Sequence, residues 1–569
     1  MTSIEEIKSY FQELNIVVND AILNKCLELC ATYNIDAEDF CDQWYAFTAS
    51  NLNGAPPTIE DLEKMERKEF IKYKDHSLTK SNVSKQSHDI EGDRIKNYAE
   101  AAVLTPKAKV KENAGTPTSK IIHENKSNIN TPVSIKSSEK FNKRKDSGSV
   151  QNSYGSVAAK FKRDSNVVLS VNEVQSHKIP TDIRYMYEIM GKKKRIMNNM
   201  IRDLGHEILD KYGMNLSDGV LISQMGDMVT YGRIVSDADG KINSQSILLE
   251  GTDETNLNHT TRLNISKLSS YSLFPGQVVA VKGNNVKNLA FVAERLYSDA
   301  VLDLPENPPI VNGSIQIIVA AGPFTFKENL SYEPLHELLK YVLEHEPHVL
   351  ILLGPFLDST HEGILTGQLT QTFDSFFEEL IENLMISLQH LDTRVVIVSN
   401  LKDAHHHPVY PTPPYRTREN YNKLTFVSDP AVIEIDGLVM AITTADILFH
   451  MSNYELHYDK ESVIKSGRME RLISHLLSQK NLYPLYPPRK ELNVDHVLLE
   501  QFGTLKNKPH ILVLPSNLKN FIKEVNDCLV INPEKLTKGF EAGTFARIEI
   551  ESGSSKSICG RAAVQILKV

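Results

Sequence analysis

The sequence predicts a multidomain protein that combines a small all-α domain, a disordered linker, a β-barrel and an α/β layered domain. Three observations predict this class. Apolar residues recur at helical spacing near the amino terminus, a polar and basic stretch without periodicity follows, and the remainder changes from short strands to strands alternating with amphipathic helices. The length of 569 residues exceeds what one hydrophobic core serves.

Residues 1–78 are predicted to form a helical amino-terminal docking domain. The segments IEEIKSYFQEL and AILNKCLELCATY place apolar residues three and four apart, as on one face of a helix. Asp36 is positioned to cap a further helix that carries Trp44, the only tryptophan. A helical module of this size is more typical of a docking domain than of an enzyme.

Residues 79–166 are predicted to form a disordered basic linker, because Ser, Lys, Asn and Thr dominate and too few apolar residues remain to form a core. Residues 81–164 contain 16 Lys and Arg against 9 Asp and Glu, a net charge of +7. Since the whole chain carries −9, the remainder carries −16. A basic tether is therefore expected to join acidic folded parts.

Three Thr-Pro pairs within this linker are candidate phosphorylation sites for proline-directed kinases, namely Thr105, Thr116 and Thr131. Each phosphate would add a charge of about −2 to a locally positive segment.

Two basic clusters have the spacing of a bipartite nuclear import signal. They consist of Lys143, Arg144 and Lys145, and of Lys160, Lys162 and Arg163. The alternative is a solvated linker whose lysines only prevent collapse. We expect the protein in the nucleus.

The composition points to a soluble protein in a reducing compartment. The amino-terminal residues carry charges where a signal peptide needs an apolar run, and no stretch approaches the roughly 18 apolar residues of a membrane span. Five cysteines fit neither a disulfide framework nor paired zinc spacing. A metal held by Cys26, Cys30 and Cys41 is less favoured than burial of these side chains among apolar neighbours.

Residues 167–302 are predicted to contain a helix followed by a β-barrel of the OB-fold type. Several short apolar runs are separated by Asp-Gly, Gly-Asn-Asn and Pro-Gly turns within about 80 residues. The strands contain few aromatic residues beyond Tyr231 and Phe291. Both a structural role and the binding of single-stranded DNA on the barrel face therefore stay open.

Residues 303–569 are predicted to form an α/β layered domain after a proline-rich hinge. Helices are expected at 333–344, 373–389 and 461–479. Strands are expected at 315–321, 349–353, 394–399, 438–443, 510–514 and 528–531. Loops at the strand ends would share one edge, where open α/β sheets place their active sites.

Calcineurin-like phosphoesterases share this layout and place the ligands of two metal ions in those loops. Here the first strand ends at Ala320 and Ala321, which have no metal-binding side chain. Pro355 stands where the bridging Asp belongs, and Leu401 follows Asn400 where a His belongs. The sequence therefore predicts a phosphoesterase-like domain without metal ligands, and hence no catalytic residue.

Three consecutive histidines are the remaining candidate for a metal site. They could bind a transition metal only with converging partners, because adjacent side chains of an extended loop point in different directions. The residues concerned are His405, His406 and His407, with Asp358, His361, Asp403 and Asp446 as candidate partners. A polar loop network held by backbone hydrogen bonds is the favoured interpretation.

Several motifs together resemble the B subunits of eukaryotic replicative DNA polymerases, most closely those of polymerase alpha. The motifs are LGPFLD at 353–358, DAHH at 403–406, TADILFH at 444–450, YPLYPP at 483–488, YSLFPGQVV at 271–279, LTKG at 536–539 and GTFAR at 543–547. The resemblance covers residues from about 167 to 569.

The resemblance implies an OB barrel packed on an inactive calcineurin-like phosphoesterase domain, with a tethered helical domain before it. It also implies a regulatory subunit of the polymerase alpha–primase complex that binds the carboxy-terminal domain of the catalytic subunit. Such a subunit supports the initiation of DNA replication by RNA–DNA primers, contacts primase within the complex and meets DNA mainly through it. The resemblance supplies no catalytic, cofactor or metal residue.

Two other functions are kept as alternatives. One is a metal-dependent phosphodiesterase or exonuclease on the retained scaffold. The other is a single-stranded DNA-binding OB protein.

Overall fold

A computed structural model describes most of the chain outside the central linker. The described residues are 4–13, 16, 18–33, 35–51, 57–70, 137–155, 161, 163, 169–180, 183–187, 189–217, 227–237, 241–255, 260–285, 290–300, 302–309, 313–460 and 467–569. They fall into two units, of which one comprises residues 1–63 and 137–569 and the other residues 64–136. The candidate sites Thr105, Thr116, Thr131, Lys160 and Lys162 lie outside the described residues.

The amino-terminal module consists of helices, as the apolar periodicity predicts. They are α1 (Ile4–Glu13), α2 (Asp20–Tyr33), α3 (Ala37–Asn51) and α4 (Ile59–Met65), the last followed by a π-helical turn at Glu66–Phe70. Phe11, Phe40 and Trp44 are fully buried. Asp36 caps α3, since its carboxylate accepts a hydrogen bond of 2.7 Å from the backbone N–H of Asp39.

Part of the predicted linker range has regular structure. Residues 137–142 form α5 (Ser137–Asn142), and β1 (Val150–Tyr154) pairs antiparallel with β22 (Ala562–Lys568). The linker prediction for residues 79–136 concerns residues outside the described ones.

The predicted OB barrel is confirmed as a closed barrel of five strands in the order β3, β4, β5, β8, β7. Its strands are β3 (Met228–Ser236), β4 (Ile247–Glu250), β5 (Thr261–Asn264), β7 (Val278–Asn284) and β8 (Phe291–Tyr297). Helix α6 (Met190–Lys211) packs Ile201 and Ile208 against Tyr231 and Val278 on its outside. The strand β6 (Ser270–Leu273) leaves the barrel and pairs with β15 (Leu456–Asp459).

The remaining residues form two facing sheets with helices outside them, a layered α/β arrangement called the sandwich below. The first sheet has the order β1, β22, β21, β9, β10, β11, β12, and the second β17, β18, β16, β14, β13, β2. Their strands are β2 (Val171–Glu173), β9 (Ile315–Ala321), β10 (Val349–Leu353), β11 (Arg394–Val398), β12 (Leu424–Val427), β13 (Ala431–Ile435), β14 (Leu438–Ile442), β16 (Ile511–Val513), β17 (Phe521–Val525), β18 (Cys528–Asn532) and β21 (Thr544–Ile550).

Apolar side chains alternate between the two faces of each sheet, which creates three core layers. Ile317 and Ile351 of the first sheet meet Met440 and Leu529 of the second in the central layer. The outer layers are closed by helices α7 (Glu333–His345), α8 (Glu362–Leu365), α9 (Phe373–Ser387), α10 (Ile447–Tyr454), α11 (Arg468–Ser478) and α12 (His496–Gly503). The described residues also include a two-stranded ribbon of β19 (Thr537–Lys538) and β20 (Glu541–Ala542), and a 3₁₀ turn at Cys559–Arg561.

None of the helices within the described ranges is long and apolar enough to cross a membrane.

Candidate functional site

The loops that follow the parallel strands of both sheets meet at one place, called the polar edge below. It comprises residues 322–326, 354–361, 399–416, 443–446, 514–518 and 532–538. Hydrogen bonds join loops from different strands, for example from the backbone N–H of Leu536 to the carbonyl of Ala321 at 2.7 Å. The structure thus brings together the strand ends that the sequence singles out.

The loops after β10 and β11 are packed closely at this edge. A Cβ atom at Gly354 would lie 2.6 Å from the hydroxyl of Tyr415 and 2.7 Å from Cβ of Asn400. Even a methyl group therefore has no space there. The Asn400 side chain donates to the carbonyl of Gly354 at 3.2 Å and accepts from the backbone of Lys402 at 2.7 Å.

Asp403 joins these same two loops. Its Oδ1 accepts backbone hydrogen bonds from Phe356 at 2.7 Å and Leu357 at 2.6 Å, and its Oδ2 accepts one from the Tyr415 hydroxyl. Burial raises the pKa of the Asp403 carboxyl to about 7, although the hydrogen bonds act in the opposite direction. Both oxygens of this carboxylate thus serve the loops.

Asp358 and His361 have local partners as well. Asp358 accepts hydrogen bonds from the backbone and the hydroxyl of Thr360, at 2.9 and 2.7 Å. His361 caps α8, because its Nδ1 accepts from the backbone of Gly363 at 3.0 Å and its Nε2 lies 2.7 Å from the carbonyl of Phe326.

The three histidines point to three different neighbours. The ring of His405 stacks on Phe377 with centroids 3.9 Å apart, and burial lowers its pKa to about 3. Nε2 of His406 lies 2.7 Å from the carbonyl of Pro413, and the ring of His407 stacks on Tyr185 at 5.7 Å. Their imidazoles do not converge on a common point.

Two more carboxylates lie in the loop after β14 and in the connection from β12 to β13. Asp446 caps α10 and accepts hydrogen bonds from the Ser516 hydroxyl at 2.6 Å and the backbone of Asn517 at 2.8 Å. Asp429 accepts from both the backbone and the hydroxyl of Thr444. These contacts bind the loop after β14 to its neighbours.

Sequence reasoning missed a lysine at the polar edge. Burial lowers the pKa of Lys535 to about 8, while the carboxylates of Asp446, Asp358 and Asp429 act in the opposite direction. These carboxylates favour the charged form of the lysine, as opposite charges do. The only local signal is its position, three residues after β18.

Within the described ranges, no three or more His, Cys, Asp and Glu side chains are grouped so that they could hold a metal ion.

The candidate import residues have different surroundings. Lys143 and Lys145 are exposed. Arg144 is partly buried, and its guanidinium donates to the carbonyls of Val569 at 3.0 Å and Phe141 at 2.7 Å. Arg163 is partly exposed. Arg144 therefore has a structural role at the end of β22, whereas the adjacent lysines face solvent.

The barrel carries a separate cleft of about 780 Å³ beside β5 and β15. Its lining includes Arg262, Lys267 and Lys460, with Tyr271 and Tyr458 in ring contact at 5.5 Å. Two of the three cations are paired with acids, Arg262 with Asp237 at 3.3 Å and Lys267 with Glu294 at 2.9 Å.

Comparisons with known proteins agree with the resemblance that the motifs carry. Family models match over residues 317–523 (the B subunit of DNA polymerases alpha and epsilon), 5–72 (the N-terminal part of the DNA polymerase alpha B subunit) and 194–299 (the OB domain of the DNA polymerase alpha B subunit). The chain is similar to the DNA polymerase alpha B subunit of Drosophila melanogaster, with 33% identity over 98% of both chains. The same subunit of Rattus norvegicus is 28% identical over 96% of this chain and 95% of its own, and that of Schizosaccharomyces pombe 32% over 64% and 67%. The chain therefore belongs to the family of DNA polymerase alpha B subunits.

Proposed function

We propose that this chain is the non-catalytic regulatory subunit of a DNA polymerase alpha–primase complex, built on an inactive calcineurin-like phosphoesterase fold. It binds the carboxy-terminal domain of the catalytic subunit and supports the initiation of DNA replication by RNA–DNA primer synthesis. Primase is a partner within the complex, and DNA is contacted mainly through it. We propose the nucleus as its location.

The observation that carries the non-catalytic role is the use of the polar edge for internal bonds. Two-metal hydrolysis requires carboxylate, imidazole and amide ligands that hold two cations about 3.5–4 Å apart. Here Asp403 and Asn400 bind the loops after β10 and β11, and Asp446 binds the loops of the second sheet. Lys535 interacts electrostatically with Asp446, Asp358 and Asp429, and its positive charge opposes the entry of a divalent cation near them.

Elemental analysis of the purified chain, combined with a phosphodiester assay in the presence of manganese, tests this role. We expect no stoichiometric metal and no turnover above buffer. Stoichiometric metal, with turnover abolished by Asp358→Asn or His405→Ala, would overturn the proposal and favour the phosphodiesterase alternative. A variant at the exposed Lys490 serves as the matched surface control.

Co-purification with a polymerase alpha catalytic subunit tests the binding role. We expect the full chain to be retained by the carboxy-terminal domain of that subunit, and truncation after Gly313 to remove binding. A chain that lacks residues 1–63 serves as the control and is expected to bind. Retention of the truncated chain would contradict a binding surface in the sandwich.

The linker sites remain part of the proposal. We propose that Thr105, Thr116 and Thr131 are phosphorylated, and that the basic clusters, with Lys143 and Lys145 exposed, act in import. Alanine at all three threonines should alter replication timing. Alanine at the five basic positions other than Arg144, whose contacts with Val569 and Phe141 are thereby kept, should reduce nuclear accumulation. Unchanged timing or unchanged accumulation would remove the corresponding assignment.

The cleft on the barrel supports single-strand binding as a second candidate. Aromatic rings beside cations are the means by which OB folds hold single strands. Binding that falls steeply with salt and is lost in Tyr458→Ala would favour it. The pairing of Arg262 and Lys267 with acids argues for weak binding.

A further inference from the structure

One face of α3 remains unexplained by the proposed function. Phe40, Trp44 and Phe47 are buried on one side of this helix. Asp39, Asp42 and Tyr45 are spaced three residues apart, which places them together along another face. Asp39 is only 6% exposed although it carries a charge, so that face is covered.

The two acids of this face meet a buried cation of the sandwich. Arg468, the first residue of α11, forms ion pairs with Asp39 and, at 3.1 Å, with Asp42. Its side chain is 5% exposed and also donates to the carbonyl of Ser452 at 2.9 Å. Lys241 of the barrel lies 3.4 Å from Asp39. Both the sandwich and the barrel thus supply positive charge to α3.

Tyr45 reaches the polar edge itself. Its hydroxyl donates to Glu534 at 3.0 Å and accepts from Lys538 at 2.7 Å, and Lys538 pairs with Glu534 at 2.6 Å. The Lys538 ammonium also lies 4.9 Å from the centroid of the Tyr45 ring. Glu534 is 2% exposed and stands two residues after β18. The hydroxyl therefore completes a buried polar cluster next to the strand ends.

We propose that Glu534 and Lys538 of the polar edge, together with Arg468 and Lys241 beside it, form a socket for α3, and that residues 35–51 close it reversibly. The edge that houses metal ions in active phosphoesterases would here receive a helix of the same chain. A partner that binds the acidic face of α3, or one that binds the socket, has to compete with the closed arrangement. The module therefore regulates access to two surfaces at once.

The nature of the contacts accounts for reversibility. They join charged and hydroxyl side chains, and the cost of removing charges from water offsets much of their attraction. Attachment to the same chain gives the module a high effective concentration at the socket, so modest affinity suffices for closure. A competitor that supplies similar charges can then open it.

Distance measurement between spin labels on the full chain tests the proposal. Labels are attached at Asn24→Cys on α2 and Lys490→Cys on the sandwich, both exposed. The five native cysteines are buried and leave these two as the reactive thiols. We expect one narrow distance distribution in the otherwise unmodified chain.

The opening variant is Asp39→Lys with Asp42→Lys. Because charge reversal faces Arg468 and Lys241 with like charges, the ratio of closed to open chains should fall roughly tenfold or more, seen as a broad distribution. Glu5→Lys with Glu60→Lys is the matched control, since both acids are exposed on the same module. It should keep the narrow distribution. Adding Arg468→Glu to the opening variant should partly restore the narrow distribution, because the two lysines then face an acid.

Tyr45→Phe provides a test that does not depend on charge. It removes one hydroxyl, and we expect a measurable broadening. Emission of Trp44, which is fully buried, shows whether the module stays folded in each variant. A broad distribution in the unmodified chain overturns the proposal. A narrow distribution in the opening variant also overturns it. The same holds if the distribution of Tyr45→Phe broadens only when the emission of Trp44 changes as well.

Discussion

The barrel and the amino-terminal module both contact the sandwich, but by different kinds of bonds. The barrel is attached through backbone pairing, since β6 and β15 form a two-stranded antiparallel sheet. The module is attached through side chains of α3, chiefly Asp39, Asp42 and Tyr45. The difference indicates that the attachment of the barrel through β6 and β15, called the joint below, is permanent. The contact of the module can open.

Buried polar groups complete the joint of the barrel. The Gln479 amide accepts a hydrogen bond of 2.7 Å from the backbone of Val278 and donates one of 3.1 Å to its carbonyl. The backbone of Tyr486 donates to Pro275 at 3.0 Å. These bonds add to the backbone pairing of β6 with β15, so several contacts have to break together before the barrel separates from the sandwich.

The strongest way to break the joint is Gly276→Ala. Gly276 has φ of +102°, and a Cβ atom would lie 2.3 Å from the carbonyl oxygen of Pro484. We expect the free energy of unfolding to fall by about 4 kcal/mol, measured by urea denaturation.

Gly213→Ala is the control for this substitution. Gly213 also has positive φ, +60°, but nothing lies within 4 Å of its Cβ position. We expect a loss of about 1 kcal/mol, from backbone strain alone. Equal losses for both variants would show that close packing at the joint has no role.

Gln479→Ala should break the joint less severely. It leaves the N–H and carbonyl of Val278 without their buried partner, which costs about 3 kcal/mol in the free energy of unfolding. Gln389→Ala, at an exposed position, serves as the control and should change stability by less than about 0.5 kcal/mol. A similar small change in both would contradict a stabilising role for Gln479.

The dependence of stability on pH distinguishes the polar edge from the joint. Burial raises the pKa of Asp403 to about 7, so its contribution is present below its unfolded pKa of 3.8 and is lost as the pH rises through about 7. At the joint, Nε2 of His475 lies 2.7 Å from the hydroxyl of Ser272 in β6, and burial lowers the pKa of His475 from 6.5 to about 4, so stability is lost as the pH falls through that range. The contributions of the two regions to the free energy of unfolding therefore change in opposite directions with pH.

Asp403→Asn tests the contribution of the edge. The amide keeps an oxygen for Phe356 and Leu357 but does not ionise. The free energy of unfolding is measured by denaturation at several pH values between about 4 and 8. We expect its fall over that range to be smaller by roughly 2 kcal/mol in the variant. An unchanged slope would show that Asp403 does not titrate there.

Salt should produce the smallest effect and should act on the module alone. Raising the ionic strength from 0.1 to 1 M shortens the screening length from about 10 to about 3 Å, which weakens partly exposed pairs such as Lys241 with Asp39. We expect the closed form to lose about 1 kcal/mol or less, measured by the spin-label distance. Opening of the barrel joint at the same salt would contradict the comparison.

The sequence predicts the buried parallel strands well. The strands expected at 315–321 and 349–353 match β9 and β10. The helix expected at 333–344 ends one residue before the observed helix α7 does. Fully buried strands are continuous apolar runs, so their pattern survives without knowledge of their neighbours. The resemblance to polymerase B subunits is confirmed by the relatives as well.

Elements at the margins of the fold were harder to predict. The strand β1 reads VQNSY, and its side chains are mostly exposed or half-buried, so its composition resembles that of the polar linker. Lys535 and the contact of Tyr45 with Glu534 were also missed. Tyr45 and Glu534 are 489 residues apart in sequence, so no local sequence pattern predicts their contact.

The position of β22 bears on how the chain is made. This strand lies between β1 and β21, and β1 precedes it by about 400 residues in the order of synthesis. On the ribosome β1 therefore waits without its partner until residues 562–568 have emerged. Domains that fold during translation usually do so from the amino-terminal side. The first sheet can be completed only after residues 562–568 have been synthesised, and until then both β1 and the free edge of β21 lack their neighbouring strand.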